Sequence, residues 1–145
     1  MSDRPQSYES HAILVTGYHK ILTPLMLFLL ITSIVWAVRD FSFQAVVWIV
    51  LILALVMTAY YARVFALGVQ DRVIRLEERL RMERVLPDDL KARIGEISTP
   101  HLIGLRFAPD EELEGLVREV LDGKHPDRKS VKAAIKNWRP DHQRV

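Results

Sequence analysis

The stretch "ALGVQDRVIRLEERLRMERVL", residues 66–86, is dense in charge, yet its apolar residues keep step and no proline interrupts it. Ala66, Val69, Val73, Leu76 and Leu80 recur by three and four, the a/d spacing of a helix with one apolar seam, until Glu83 breaks the pattern. Charges fill the other faces, and Asp71 with Arg75 and Glu77 with Arg81 stand at the i,i+4 spacing that supports a helix in water. The rod seam of Val69, Val73, Leu76 and Leu80 covers two heptads. Its candidate occupants are the rest of the chain, with Ile74 beside it, or a second copy. Gly68 costs about 1 kcal/mol in a helix interior and marks a candidate bend.

Upstream, the rod is continuous with apolar sequence. Residues 21–38, "ILTPLMLFLLITSIVWAV", form a run of 18 uncharged residues, and residues 43–62, "FQAVVWIVLILALVMTAYYA", a run of 20. At about 1.5 Å per residue each is long enough, as a helix, to cross a bilayer's hydrocarbon core. The connection "RDFS" is too short for a domain, so the two spans are expected to form an antiparallel transmembrane hairpin. Between Lys20 and Arg63 the only formal charges are Arg39 and Asp40. Pro24 falls in the first turn of the first span, where its missing N–H costs little.

Aromatic rings mark both ends of the hairpin: Trp36, Phe41, Phe43 and Trp48 near its tip, and Tyr18, Tyr60 and Tyr61 at the other end. Lys20, Arg63, Arg72 and Arg75 flank the open end against Arg39 alone at the tip, which places both termini in the cytoplasm by the positive-inside rule. The first twenty residues mix both charge signs and do not resemble the basic leader of a cleaved signal. The expectation is an integral protein of an inner (plasma) membrane. Neither span carries an ionisable group at membrane depth, so a transport pathway through this chain alone is not expected. Thr23, Thr32, Ser33 and Thr58 can bond their own helix carbonyls. Ala54, Thr58, Ala62 and Ala66 repeat every four residues, a helix-packing strip that allows close backbone approach by the first span, by a second copy or by another membrane subunit.

After Pro87 the pattern shortens into a small helical unit. "PDDLKARIGEI" (87–97) reads as a short helix with Asp88 and Asp89 at its positive end, and "STPHLIGLRFA" (98–108) as a turn or helix capped by Ser98 or Thr99. "PDEELEGLVREVLDG" (109–123) has an acidic first turn, Leu113, Leu116, Val117, Val120 and Leu121 on one face, and Gly123 as terminator. "DRKSVKAAIKNW" (127–138) reads as the last helix, with Val131, Ile135 and Trp138 on its apolar face. The organisation is therefore all-α: residues 1–20 a cytoplasmic amino-terminal segment, 21–62 a transmembrane hairpin, 63–86 a charged juxtamembrane helix continuing the second span, and 87–145 a small cytoplasmic helical unit. A unit of that size needs a scaffold, because it buries a modest fraction of its surface.

Charge in this unit comes in blocks. Residues 88–122 carry nine acidic and four basic side chains, and residues 124–144 two acidic and seven basic. The blocks can clamp on each other, or the basic one, with Lys129, Lys132, Lys136 and Arg139, can meet anionic lipid headgroups or an acidic partner. No motif of nucleic-acid recognition accompanies the basicity, so nucleic acid is not an expected partner.

The absence of cysteine excludes disulfides, zinc–thiolate sites and thiol nucleophiles. His11, His19, His101, His125 and His142 lack paired-ligand spacing, and no phosphate-binding glycine loop or nucleophile elbow occurs. No metal, cofactor or catalytic residue is expected, and the chain is not expected to be an enzyme.

Taken together, "QDRVIRLEERLR" (70–81), "LIGLRFAPDEELEGLV" (102–117) and "AIKNWRPDHQRV" (134–145) resemble an uncharacterised bacterial family of small two-span membrane proteins, a domain of unknown function. The resemblance implies no activity, cofactor or site residue. The residues themselves point to a non-enzymatic membrane-anchored interaction or scaffold module, with an accessory subunit of a larger membrane enzyme or transporter as the alternative. The expected partners are the bilayer and either further copies of the chain or a larger membrane complex.

Overall fold

The computed structural model describes residues 15–141, and among them every regular element is helical. His11 and His142 lie outside the described residues, as do the outer parts of both terminal segments. The chain divides between Leu67 and Gly68, inside one long helix, into two compact units.

The first unit begins with a π-helical turn, Thr16–Leu22, that runs directly into α1 (Thr23–Arg39). Pro24 accounts for the wider turn. It has no N–H to offer four residues back, and Thr23 instead gives both its backbone N–H and its hydroxyl, at 2.9 Å, to the Tyr18 carbonyl five residues back. Helix therefore starts ahead of the apolar run that begins at Ile21. After a short connection α2 (Phe43–Val85) begins, with the Ser42 hydroxyl accepting the Ala45 N–H at 3.2 Å. The two helices are antiparallel neighbours: the Tyr18 hydroxyl donates to the Ala59 carbonyl at 3.1 Å, and the Arg63 guanidinium lies 5.8 Å from the centre of the Tyr18 ring.

Their least exposed residues form one stripe on each helix, Met26, Leu30, Ser33 and Ala37 on α1 and Ala45, Ile49, Ile52, Val56 and Ala59 on α2. Ser33 and Ala45 are buried in these stripes. The hydroxyls of Thr32, Ser33 and Thr58 bond carbonyls of their own helices, as the sequence suggested. Around this seam the surface is apolar and exposed, with Leu27, Phe28, Val50 and Met57 facing outward. By length and composition both Thr16–Arg39 and Phe43–Val85 can cross a membrane.

The second unit wraps short helices against the latter part of α2. These are α3 (Asp88–Lys91), a 3-10 turn (Ile94–Glu96), α4 (Thr99–Leu105), α5 (Asp110–Leu121) and α6 (Arg128–Ala134). Their core gathers Met82 and Leu86 from α2 with Leu102, Leu105, Phe107 and the α5 face Leu113, Leu116 and Val117. Gly123, with φ +76°, ends α5 in the left-handed conformation expected of it. Asp127 caps α6 by accepting the Lys129 and Ser130 N–H groups at 2.9 and 2.8 Å, while the Ser130 hydroxyl accepts the Asp127 N–H.

The last helix is shorter than the i, i+4, i+7 pattern of Val131, Ile135 and Trp138 suggested. It stops at Ala134, and Ile135 is extended. Tertiary partners take the following amides: Lys136 and Asn137 donate to the Glu112 carboxylate at 2.9 Å each, and Arg139 donates to the Phe107 carbonyl at 2.8 Å. Pro140 further disfavours helix at Arg139. Trp138 still reaches the core as a partly buried ring, 4.9 Å from Phe107 between centroids.

Gly104 is where α4 meets α6 most closely. A Cβ there would lie 3.1 Å from Val131 Cβ and 3.2 Å from the Arg128 carbonyl oxygen, whereas one at Gly115 on α5 would meet nothing within 4 Å. Gly104→Ala is expected to cost about 1–3 kcal/mol through overpacking. Gly115→Ala is expected to gain up to about 1 kcal/mol through helix propensity. Denaturant unfolding of the two variants checks the pair, and equal effects would contradict this packing.

Candidate functional site

α2 presents different residues on different faces, and their placement defines what the chain offers to others. Within the second unit the covered stripe is Ile74, Glu78, Arg81, Met82 and Leu86, all buried. Val69, Val73, Leu76 and Leu80 are all exposed. The apolar seam of the rod is thus left open, and of the apolar residues considered with it only Ile74 is covered by the chain itself.

Charge explains the choice of face. Arg81, although buried, donates from Nε to Asp110 Oδ1 at 2.7 Å, from one terminal nitrogen to the same oxygen and to the Ala108 carbonyl at 2.8 Å, and from the other to Glu78 Oε2 at 3.1 Å. A planar guanidinium suits this task because its donors fan out in fixed directions. It spans the α4–α5 connection and fastens that connection to α2. Burial pushes the Glu78 carboxyl above its ordinary range, opposed by Arg81 and, more weakly, by Arg139, whose guanidinium lies 3.9 Å away. Neither expected i,i+4 pair forms on the rod among the described residues. Arg81 is drawn to Glu78 and Asp110 in place of Glu77, and Asp71 and Arg75 do not pair.

A second cluster lies around Phe107, which is fully buried. The Arg106 guanidinium is 4.6 Å and the Lys132 ammonium 4.8 Å from the centre of its ring, with Trp138 alongside. Arg106 also meets Asp141 at 3.3 Å. Of the four cations considered for an anionic surface, Lys132 is therefore buried in this cluster, while Lys129, Lys136 and Arg139 are exposed. Lys132 is an amphipathic chain whose stem packs and whose charge rests on a ring face.

His101 and His125, far apart in sequence, come together. Ser98 Oγ lies 2.8 Å from His101 Nδ1, and His101 Nε2 lies 3.0 Å from the His125 carbonyl oxygen. A carbonyl only accepts, so Nε2 carries the proton. In neutral His101, Nδ1 is then the acceptor of the Ser98 hydroxyl. Ser98 holds the N-cap position of α4 but gives its side chain to the imidazole, not to a helix amide. The His125 ring meets Glu119 Oε2 at 3.1 Å, and this hydrogen bond holds the Glu119 carboxyl below its ordinary range. The chain of contacts joins the start of α4 to the end of α5. Close by, a groove of about 380 Å³ is lined by Asp71, Thr99, Pro100, Ile103, Asp127, Arg128 and Lys129. Its mixed charges define no single ligand, and among the described residues no three His, Asp or Glu side chains are grouped to hold a metal ion.

In the first unit Ala54, Thr58, Ala62 and Ala66 are exposed, while α1 packs on the stripe from Ala45 to Ala59. The helix-packing strip is thus on a different face from the one the hairpin uses. Sequence spacing offers Arg81 only as a partner for Glu77 and does not mark Asp110, Glu112 or Phe107, since nothing local distinguishes a buried arginine from its exposed neighbours. The capping box of Asp127 and Ser130 does have a local signal in its spacing, although the expectation of this helix rests on its apolar face alone.

Acidic helix and basic tail do meet, at Glu119 through Lys124, 3.8 Å away, and at Glu112 chiefly through backbone amides. Desolvation pushes the Glu112 carboxyl up, yet the amides of Lys136 and Asn137 and the Asn137 side chain outweigh it and hold the group below its ordinary range. A depressed acid stabilises above its unfolded pKa and loses that contribution as pH falls through the folded value. The tail is therefore expected to stay docked at neutral pH and to release on acidification below the ordinary carboxylate range. Trp138 emission, recorded with Trp36 and Trp48 replaced by Phe, should shift to the red in acid, and Glu112→Gln should flatten that step. Emission unchanged between about pH 7 and about pH 2 would contradict it.

No curated protein and no solved structure matches this chain. One family model does, that of a family of unknown function, DUF6526, and it matches residues 1–145. The match runs the length of the sequence, and the chain belongs to the DUF6526 family.

Proposed function

We propose that the protein is a membrane-anchored interaction module, in which a transmembrane hairpin fixes a helical unit at the cytoplasmic face of a bacterial plasma membrane. The observation that carries this reading is the exposure of its apolar helices. Only 6% and 11% of their most apolar stretches is buried, which supports a lipid environment over a buried core. An apolar surface so extended is stable against lipid or against other apolar helices, not against water. Arg39 is the one basic residue at the tip of the hairpin, and the other end carries Lys20, Arg63, Arg72 and Arg75, which favours both termini inside.

The second unit supplies the interacting part. It is fastened to α2 by Arg81 and offers the exposed seam and the exposed cations Lys129 and Lys136, which can meet anionic headgroups or an acidic partner. A second reading, an accessory subunit of a larger membrane complex, is favoured by the uncovered small-residue strip Ala54, Thr58, Ala62 and Ala66. Under that reading, purification in mild detergent returns a stable heteromeric assembly.

Anchoring and orientation are tested together. The protein is expected to stay with membranes on alkaline extraction, with reporters fused at Ser2 and Val145 reading cytoplasm and one inserted at Ser42 reading outside. Release by alkali, or a reporter at Val145 on the outer side, would contradict the reading.

A further inference from the structure

We infer that the exposed seam of α2 pairs in parallel with the same seam of a second copy of this chain. The inference rests on the membrane-anchoring reading for the common direction of the two copies. Val69, Val73, Leu76 and Leu80 are between 47% and 62% exposed, so the face is open along its whole length. Their spacing assigns Val73 and Leu80 to a positions and Val69 and Leu76 to d positions, and β-branched Val73 at a with Leu76 at d is the arrangement that favours two parallel strands.

Charge complementarity selects the occupant. In this register Arg72 takes a g position and Glu77 the e position five residues on, the two places that meet across a parallel pair. Both side chains are exposed, and among the described residues neither has an ion-pair partner in its own chain. Two copies side by side satisfy both charges twice, Arg72 of each against Glu77 of the other. The match has a definite end. Glu83 occupies the d position after Leu80, and the next g and e residues, Arg79 and Arg84, are of like sign, so contact runs from Val69 to Leu80 and then parts. Ile74, Glu78, Arg81 and Met82 lie on the other side of α2, buried in their own unit.

The lack of native cysteine makes the test direct. Single-cysteine variants Val69→Cys, Val73→Cys, Leu76→Cys and Leu80→Cys of the full chain, with Arg75→Cys as the off-seam control, are oxidised in phosphatidylcholine vesicles at low protein-to-lipid ratio. Insertion is confirmed first by alkaline extraction, so a failure of anchoring is read separately from a failure of pairing. In inserted protein, like-with-like disulfide dimers are expected at the four seam positions and not at Arg75→Cys. Arg72→Glu in the Val73→Cys background is expected to weaken association about fivefold, by exchanging two exposed ion pairs for like-charge contacts, and adding Glu77→Arg to restore it. These variants change exposed side chains, so the chain's own packing is kept. Equal cross-linking at Arg75→Cys, none at the seam, a preference for Val73→Cys joined to Leu76→Cys, or no restoration by the double charge exchange would each overturn the pairing.

Discussion

The guanidinium of Arg81 is the contact on which the second unit depends. One side chain on α2 reaches Asp110 at the start of α5, the Ala108 carbonyl just before it and Glu78 a turn below. Without it the connection between α4 and α5 would face α2 with an unsatisfied carbonyl and no directional hold. The cost is visible at Glu78, whose carboxyl is pushed up by burial and is kept in place by the arginine beside it. A buried pair of this kind is weak evidence for net stability, but it fixes geometry, because only one arrangement satisfies its donors.

That geometry decides what remains available. By committing the Ile74, Glu78 and Arg81 face to the chain's own core, the clasp leaves Val69, Val73, Leu76 and Leu80 in the open. A helix with one covered and one uncovered stripe is joined to its own unit on one side and keeps an apolar face open on the other. The hairpin shows the same division: α1 takes the stripe from Ala45 to Ala59, and Ala54, Thr58, Ala62 and Ala66 are not used by it. The tail is docked by different means, through the Lys136 and Asn137 amides on the Glu112 carboxylate and through Trp138 on Phe107, which leaves the Lys129 and Lys136 side chains exposed.

Much of the architecture was legible because it is written in periods and punctuation. Two apolar runs, an uninterrupted charged rod, the face of α5 and its stop at Gly123 all follow from local spacing. The covered face of α2 was not legible. Counting apolar residues selects Val69, Val73, Leu76 and Leu80, whereas the stripe that the unit covers includes Glu78 and Arg81, and only their tertiary partners make them fit for burial. Lys132 reads as one cation among several until Phe107 is found beneath it. The end of α6 differs from its spacing for a related reason: Val131, Ile135 and Trp138 are spaced as on a helix, but Glu112 and Phe107 take the amides that would have continued it.

A double-mutant cycle between Arg81 and Asp110 tests the clasp most directly, with unfolding of the second unit followed by Trp138 emission after Trp36 and Trp48 are replaced by Phe. Arg81→Met should cost about 3–5 kcal/mol, because Glu78 is then left buried without its main counter-charge. Asp110→Asn should cost less. If the clasp holds the connection to α2, the two effects fall short of additivity by about 1 kcal/mol or more in the double variant. Additive effects, agreeing within about 0.5 kcal/mol, would contradict the account, since Arg81 and Asp110 would then be neighbours that do not hold each other.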